Sequence, residues 1–220
     1  VQNVTDRTRN PFGMSPPCDA PCSAGGPEAV HGYGDANADF HVIGDHPGVH
    51  GGRSTGVPFT ETDGARRLQS VLHEAGFLDA AYSDEPSVEN LFCSYLHACC
   101  VPEGDTPDEE SYGRLERFFD AEFRAINAHV LLPVGERATR HVLEQYTAQA
   151  HKIDVDLPTL HATEVHGRGY LVVPVRDPAA WTDTDRDRLA ARLADVLSSD
   201  YRQESDLGRF LPGDESYRVR

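Results

Sequence analysis

Four apolar runs, each followed by an amphipathic stretch, set the pattern of this chain. The runs fall at about 39–44, 91–98, 129–135 and 170–175, and each ends in a break rich in glycine, proline or polar residues. Between them the apolar positions repeat at helical spacing. Ala65, Leu68, Val71, Leu72 and Ala75 predict a helix from Thr62 to about Gly76. Thr106, Pro107 and Glu109 form a capping box that opens a second helix, with Leu115, Phe118, Phe119, Phe123 and Ile126 on one face. ERATRHVLEQY predicts a third helix, and 183–197 a fourth, carrying Leu189, Leu193, Val196 and Leu197. Strands alternating with helices imply right-handed crossovers. The expected fold class is therefore α/β, three layers (α/β/α) around a central four-stranded parallel sheet. Residues 1–220 read as one domain, with 1–17 as an N-terminal arm and 200–220 as a C-terminal tail.

That topology gathers the loops 44–61, 97–106, 135–137 and 175–182 at the carboxyl edge of the sheet, where such folds bind ligands. The longest of them, GDHPGVHGGRSTGVPFTETD, carries Asp45, His46, His50, Arg53 and Phe59 among glycines and prolines. A phosphate cradle is the generic reading, but neither Gly-x-Gly-x-x-Gly nor a Walker lysine is present. A Gly-x-Ser-x-Gly nucleophile elbow is absent too.

Composition changes the picture in one respect. The formal charge is −16, and Lys152 is the only lysine. An acidic excess spread along the chain reads as a surface adapted to high salt, where screening removes self-repulsion. The regular apolar segments argue against a disordered acidic protein. The expected setting is a halophilic cytoplasm. There is no apolar stretch long enough to cross a membrane and no signal-peptide core. Net negative charge does not exclude DNA, because a local basic patch suffices. Five cysteines, an odd number, are candidates for metal ligation or for core positions rather than a disulfide framework.

GDHPGVHGGRSTGVPFT resembles the first motif of the uracil-DNA glycosylase superfamily, closest to its iron–sulfur branches, the fourth and fifth families. HGGRSTG is similar to the fifth-family His-Gly-x-Asn-Arg-Thr-Gly run. Three further matches lie in order: CDAPC followed by VHGYGDANADFHVIG, then CCVPEGDTP, then HVLLPVGERATRHVL. The similarity spans about 18–182. It implies hydrolysis of the N-glycosidic bond of a deaminated base flipped out of DNA, by a monomeric protein with no membrane partner. Gly44, His46, Pro47, Gly48, Phe59 and Leu96 would surround the base, with Phe59 as the stacking ring. Asp45 would orient water or stabilise charge on the sugar; its alternative is a loop cap. His50, Arg53 and Arg176 would contact DNA, the alternatives being surface or salt-bridged positions.

The chain also departs from the family. The second motif's His, which donates to the base oxygen, is replaced by Asp177, and a carboxylate would repel the charge gathering there. The asparagine that reads uracil falls on Leu96, which has no hydrogen-bonding groups. Cys18, Cys22 and Cys100 match three ligands of a [4Fe–4S] cluster, but the fourth position, near Leu115 and Glu116, has no cysteine. Zinc, or no metal, are the alternatives. The resemblance thus leaves two functional expectations, a glycosylase or an impaired member that binds DNA, a nucleotide or a protein partner.

Overall fold

The computed structural model describes residues 3–6, 10, 13–149 and 151–199. The tail expected at 200–220 lies outside them. The four apolar runs become strands β3 (Phe40–Gly44), β4 (Leu91–Tyr95), β5 (Val130–Pro133) and β7 (Tyr170–Val172). These pair in parallel in the order β4-β3-β5-β7. The sheet, however, is not four-stranded. Among the described residues it has seven strands and is mixed, because β1 (Asn3–Val4), β2 (Tyr33–Asp35) and β6 (Val165–Gly167) extend it antiparallel, giving β1-β2-β4-β3-β5-β7-β6. The expected N-terminal arm therefore contributes an edge strand.

Alternation along β3 shows how the layers form. Phe40 and Val42 face one side, where α2 (Asp63–Glu74) and α6 (Asp183–Ser198) supply Leu68, Val71, Leu72, Leu189 and Leu193. Ile43 faces the other, against Phe119 and Phe123 of α3 (Glu109–Ile126) and Val142 and Leu143 of α4 (Glu136–Tyr146). Both faces are covered, which is why the central strands are continuous apolar runs. The predicted caps hold at Thr62, whose side chain accepts from the Ala65 N–H at 3.0 Å. At α3 the cap moves. Asp108, not Thr106, accepts from the Ser111 N–H at 2.8 Å, because Pro107 lies outside the helix. One-turn helices α1 (Pro47–His50) and α5 (Leu157–Leu160) complete the rim of the carboxyl edge.

Candidate functional site

β3 ends at a crowded point. A Cβ on Gly44 would stand 2.7 Å from the Phe59 ring and 2.8 Å from Tyr95, so only glycine fits there. The chain then turns through Asp45 into α1, where His46 Nδ1 accepts from the Gly48 N–H at 3.1 Å. Gly51 and Gly52 follow with φ of +89° and +91°, and a Cβ on Gly51 would lie 1.8 Å from the Thr60 carbonyl. This double left-handed turn returns the loop to Phe59. Phe59 itself has φ +57°, held by a Tyr95 hydroxyl that accepts its N–H at 2.7 Å and donates to the Gly51 carbonyl at 3.1 Å.

The loop rims a cavity of about 940 Å³ between α1, α3, α4, α5 and the segment after β7. Of the residues singled out from the sequence, Asp45, His50, Leu96, Arg176 and Asp177 line it. His46, Gly48 and Arg53 border a separate hollow of about 500 Å³. Phe59 is 3% exposed and lies behind the cavity wall, its ring 5.4 Å from His50 and 5.2 Å from Tyr95. The aromatic ring that reaches the cavity from this stack is the imidazole of His50. Gly44 and Pro47 are buried beneath the same wall.

Asp45 is held from two helices. The Tyr112 hydroxyl of α3 donates to its Oδ1, and Arg137 of α4 brings Nε within 4.0 Å of the same oxygen. Arg137 also lies over the Tyr112 ring, 4.1 Å from its centroid, and pairs with Glu109 at 2.7 Å. Burial and the neighbouring Asp45 carboxylate push the Tyr112 phenol well above its usual range, so it stays a donor. Neither Tyr112 nor Arg137 stands out in the sequence. Tyr112 sits one turn into α3 and Arg137 at the second position of α4, both ordinary amphipathic helices, and only the packing of α3 beside α4 brings them to Asp45.

His50 is 4% exposed, and among the described residues its buried Nε2 has no hydrogen-bonding partner. Burial pushes its pKa down to about 4, although Asp177 and Asp45 oppose the shift. Leu96 lines the cavity as part of the core layer with Ile43 and Phe119. Asp177 caps a short 3₁₀ turn, Pro178–Ala180, by accepting from the Ala179 N–H at 2.9 Å. Arg176, expected to contact DNA, bonds Asp185 through Nη1 at 2.9 Å while lining the cavity, and Asp185 closes the capping box of α6 with Thr182. Arg53 points into the protein, donating to the carbonyls of Val101 at 2.9 Å and Cys22 at 3.3 Å.

The cysteines correct a further expectation. Cys18 bonds Cys99 and Cys22 bonds Cys100, so the three proposed metal ligands are disulfide sulfurs. A four-thiolate cluster needs four sulfurs turned to one centre. Cys99 and Cys100 are chain neighbours at an extended bridge position opposite Ala29, and each is bonded to a different partner. Leu115, at the family's fourth ligand position, is buried. Among the described residues, no group of three or more His, Cys, Asp or Glu is placed to hold a metal ion. Bonded in pairs, these sulfurs are not the four thiolates of a cluster. Cys93, the one remaining thiol, is buried in the sheet.

Residues 31–196 match the sequence profile of the uracil DNA glycosylase superfamily. The chain belongs to this superfamily. Among curated relatives, it is 31% identical over 116 residues to the type-5 uracil-DNA glycosylase of Pyrobaculum aerophilum, covering 51% of each chain. It is 30% identical over 120 residues to the type-5 enzyme of Thermus thermophilus, covering 53% of this chain and 55% of that one. Against the type-4 uracil-DNA glycosylase of Saccharolobus solfataricus it is 24% identical over 152 residues, 69% of this chain and 66% of the relative. The chain thus spans about half the length of the type-5 relatives it matches. No described helix is long and apolar enough to cross a membrane.

Proposed function

We propose that this superfamily member hydrolyses the N-glycosidic bond of a deaminated base in DNA, with Asp45 as the carboxylate at the reacting sugar. The observation that carries the reading is the restraint of Asp45 at the cavity by Tyr112 and Arg137 from two different helices. Both contacts fall on Oδ1, which leaves Oδ2 to face a bound water or the sugar. In the reaction the C1′–N bond breaks, its electron pair leaves with the base, and positive charge develops on the sugar ring. A fixed carboxylate stabilises that charge and orients the water oxygen that bonds to C1′. One of the water's protons passes to the departing base and the other stays on the new C1′ hydroxyl. A cavity of about 940 Å³ has room for an extruded nucleotide, which supports a base flipped out of the duplex.

Six carboxylates line the cavity (Asp45, Glu109, Glu116, Glu136, Glu144, Asp177) against three arginines (Arg137, Arg140, Arg176), so it does not draw phosphate by net charge. Concentrated salt screens that repulsion, which supports a halophilic setting for the reaction. The test is incubation in molar salt with oligonucleotides containing uracil, hypoxanthine or xanthine, followed by alkaline cleavage. Excision is expected, and Asp45→Asn should slow it by about 10²–10³-fold. No abasic product from any substrate, with a known glycosylase active in the same buffer, sinks the proposal. Asp177 and Leu96 favour the second reading, a member that binds damaged DNA without turnover. Tight binding to the same oligonucleotides with no cleavage would establish it.

A further inference from the structure

We propose that His50 reads the bound base, accepting a hydrogen bond from a ring N–H through Nε2. The inference deepens the glycosylase reading and rests on it. His50 lies in the cavity wall, backed by Phe59 and Tyr95 at 5.4 and 6.1 Å. Among the described residues, the backbone of Val134 acts on its ring as a hydrogen-bonding partner. Because Nε2 has no partner, that bond belongs to Nδ1. A carbonyl only accepts, so the proton sits on Nδ1 and Nε2 presents its lone pair. Desolvation keeps the ring neutral despite the two carboxylates, Asp45 and Asp177, that face it.

Gly135 stands beside Nε2 without a side chain. A Cβ there would stand 3.8 Å from Nε2 and 3.9 Å from Cε1, in contact with that edge of the ring. Glycine at the first position before α4, with φ +86°, puts no side chain against that edge of the ring, and Nε2 lies buried in the wall of the cavity that both residues line. An acceptor buried without a partner is costly, and a ligand that brings a donor recovers that cost on binding.

The chemistry of deamination supplies such a donor. Cytosine and adenine carry a lone pair at N3 and N1 respectively. Converting the exocyclic amine to a carbonyl moves a proton to that ring nitrogen, giving the N–H of uracil or hypoxanthine. A fixed acceptor therefore favours the deaminated base and sets lone pair against lone pair with its parent. Leu96, in the same cavity, offers no polar group for the task.

The test uses the full chain. Wild type, His50→Phe and His50→Gln are compared in single-turnover excision of uracil and hypoxanthine, with circular dichroism to confirm folding. In parallel, the imidazole nitrogen resonances of isotope-labelled wild type are followed on adding uracil or cytosine. The Phe variant keeps the ring and loses the acceptor; its rate should fall by about 10–100-fold, the Gln variant recovering part of it. The Nε2 resonance should move with uracil and not with cytosine. A folded Phe variant with wild-type rates, or an Nε2 resonance indifferent to uracil, overturns the inference while leaving the glycosylase reading in place. Wild type that excises nothing, yet shows the Nε2 response, overturns the glycosylase reading and leaves His50 as a base reader. If the Phe variant does not fold, the Gln variant and the wild-type resonances decide.

Discussion

Tyr95 joins strand β4 to the loop that matters most. Its hydroxyl accepts from the Phe59 N–H and donates to Gly51, so one phenol fixes both arms of the left-handed turn. Tyr95→Phe removes that bridge and strands a buried N–H. The expected loss is about 1–3 kcal/mol in urea denaturation, with excision reduced as His50 loses its backing. Tyr112→Phe is the contrasting case. It leaves packing intact and releases one of the two groups on Asp45, so kcat should fall with little change in unfolding midpoint. At this scale the loop residues were legible, because Asp45 and His50 sit in a dense run of turn-forming residues after an apolar strand. Their partners were not. Tyr112 and Arg137 come from separate helices, and no local pattern marks a contact made across α3 and α4.

Among the elements, the segment 18–30 is restrained covalently. Two disulfides bind it to the end of β4, and Arg53 bonds the carbonyls of Cys22 and Val101 across the same junction. The bridges close loops with separations of 81 and 78 residues, which in the chain-entropy model corresponds to about 4 kcal/mol for the first. The second spans nearly the same loop and adds less. Reduction should therefore lower the unfolding midpoint markedly. Denatured without reductant, the chain should show one reactive thiol, Cys93, and after reduction all five. Five thiols before reduction, together with bound iron, would restore the cluster reading. The parallel strands were legible because each is a buried apolar run. The edge strands were not, since two or three residues are too few to establish a period. Nor was the pairing legible: spacing places Cys100 as a ligand but does not reveal that Cys99 turns to a partner of its own.

Across the whole molecule, buried histidines govern the response to acid. Burial holds His41 at about 3 and His50 at about 4, below the ordinary 6.5. As pH falls below 6.5 the unfolded chain binds protons that these two refuse in the fold, so stability falls, by about 1.4 kcal/mol per pH unit for each. Glu122, raised to about 7 by burial, acts in the opposite sense between 4.5 and 7, because there the fold holds the proton. His46, His97, His141 and His161 are lowered by burial as well, so the histidines outweigh Glu122 and stability still declines down to pH 4.5, with a steeper slope below it. Urea denaturation at pH 7, 5.5 and 4.5 checks this, and Glu122→Gln should make the decline between 7 and 4.5 steeper. Salt should change it little, since buried groups are poorly screened.

The two outer strands bear on how copies of the molecule meet one another. A charge of −16 keeps them apart in dilute buffer, but at about 1 M salt the screening length is near 3 Å and that barrier is gone. Sheet-to-sheet growth then depends on how much unpaired backbone each end offers. Here β1 offers two residues and β6 three, too little to template a neighbouring strand. Resistance to aggregation by this route is geometric, and it persists in brine.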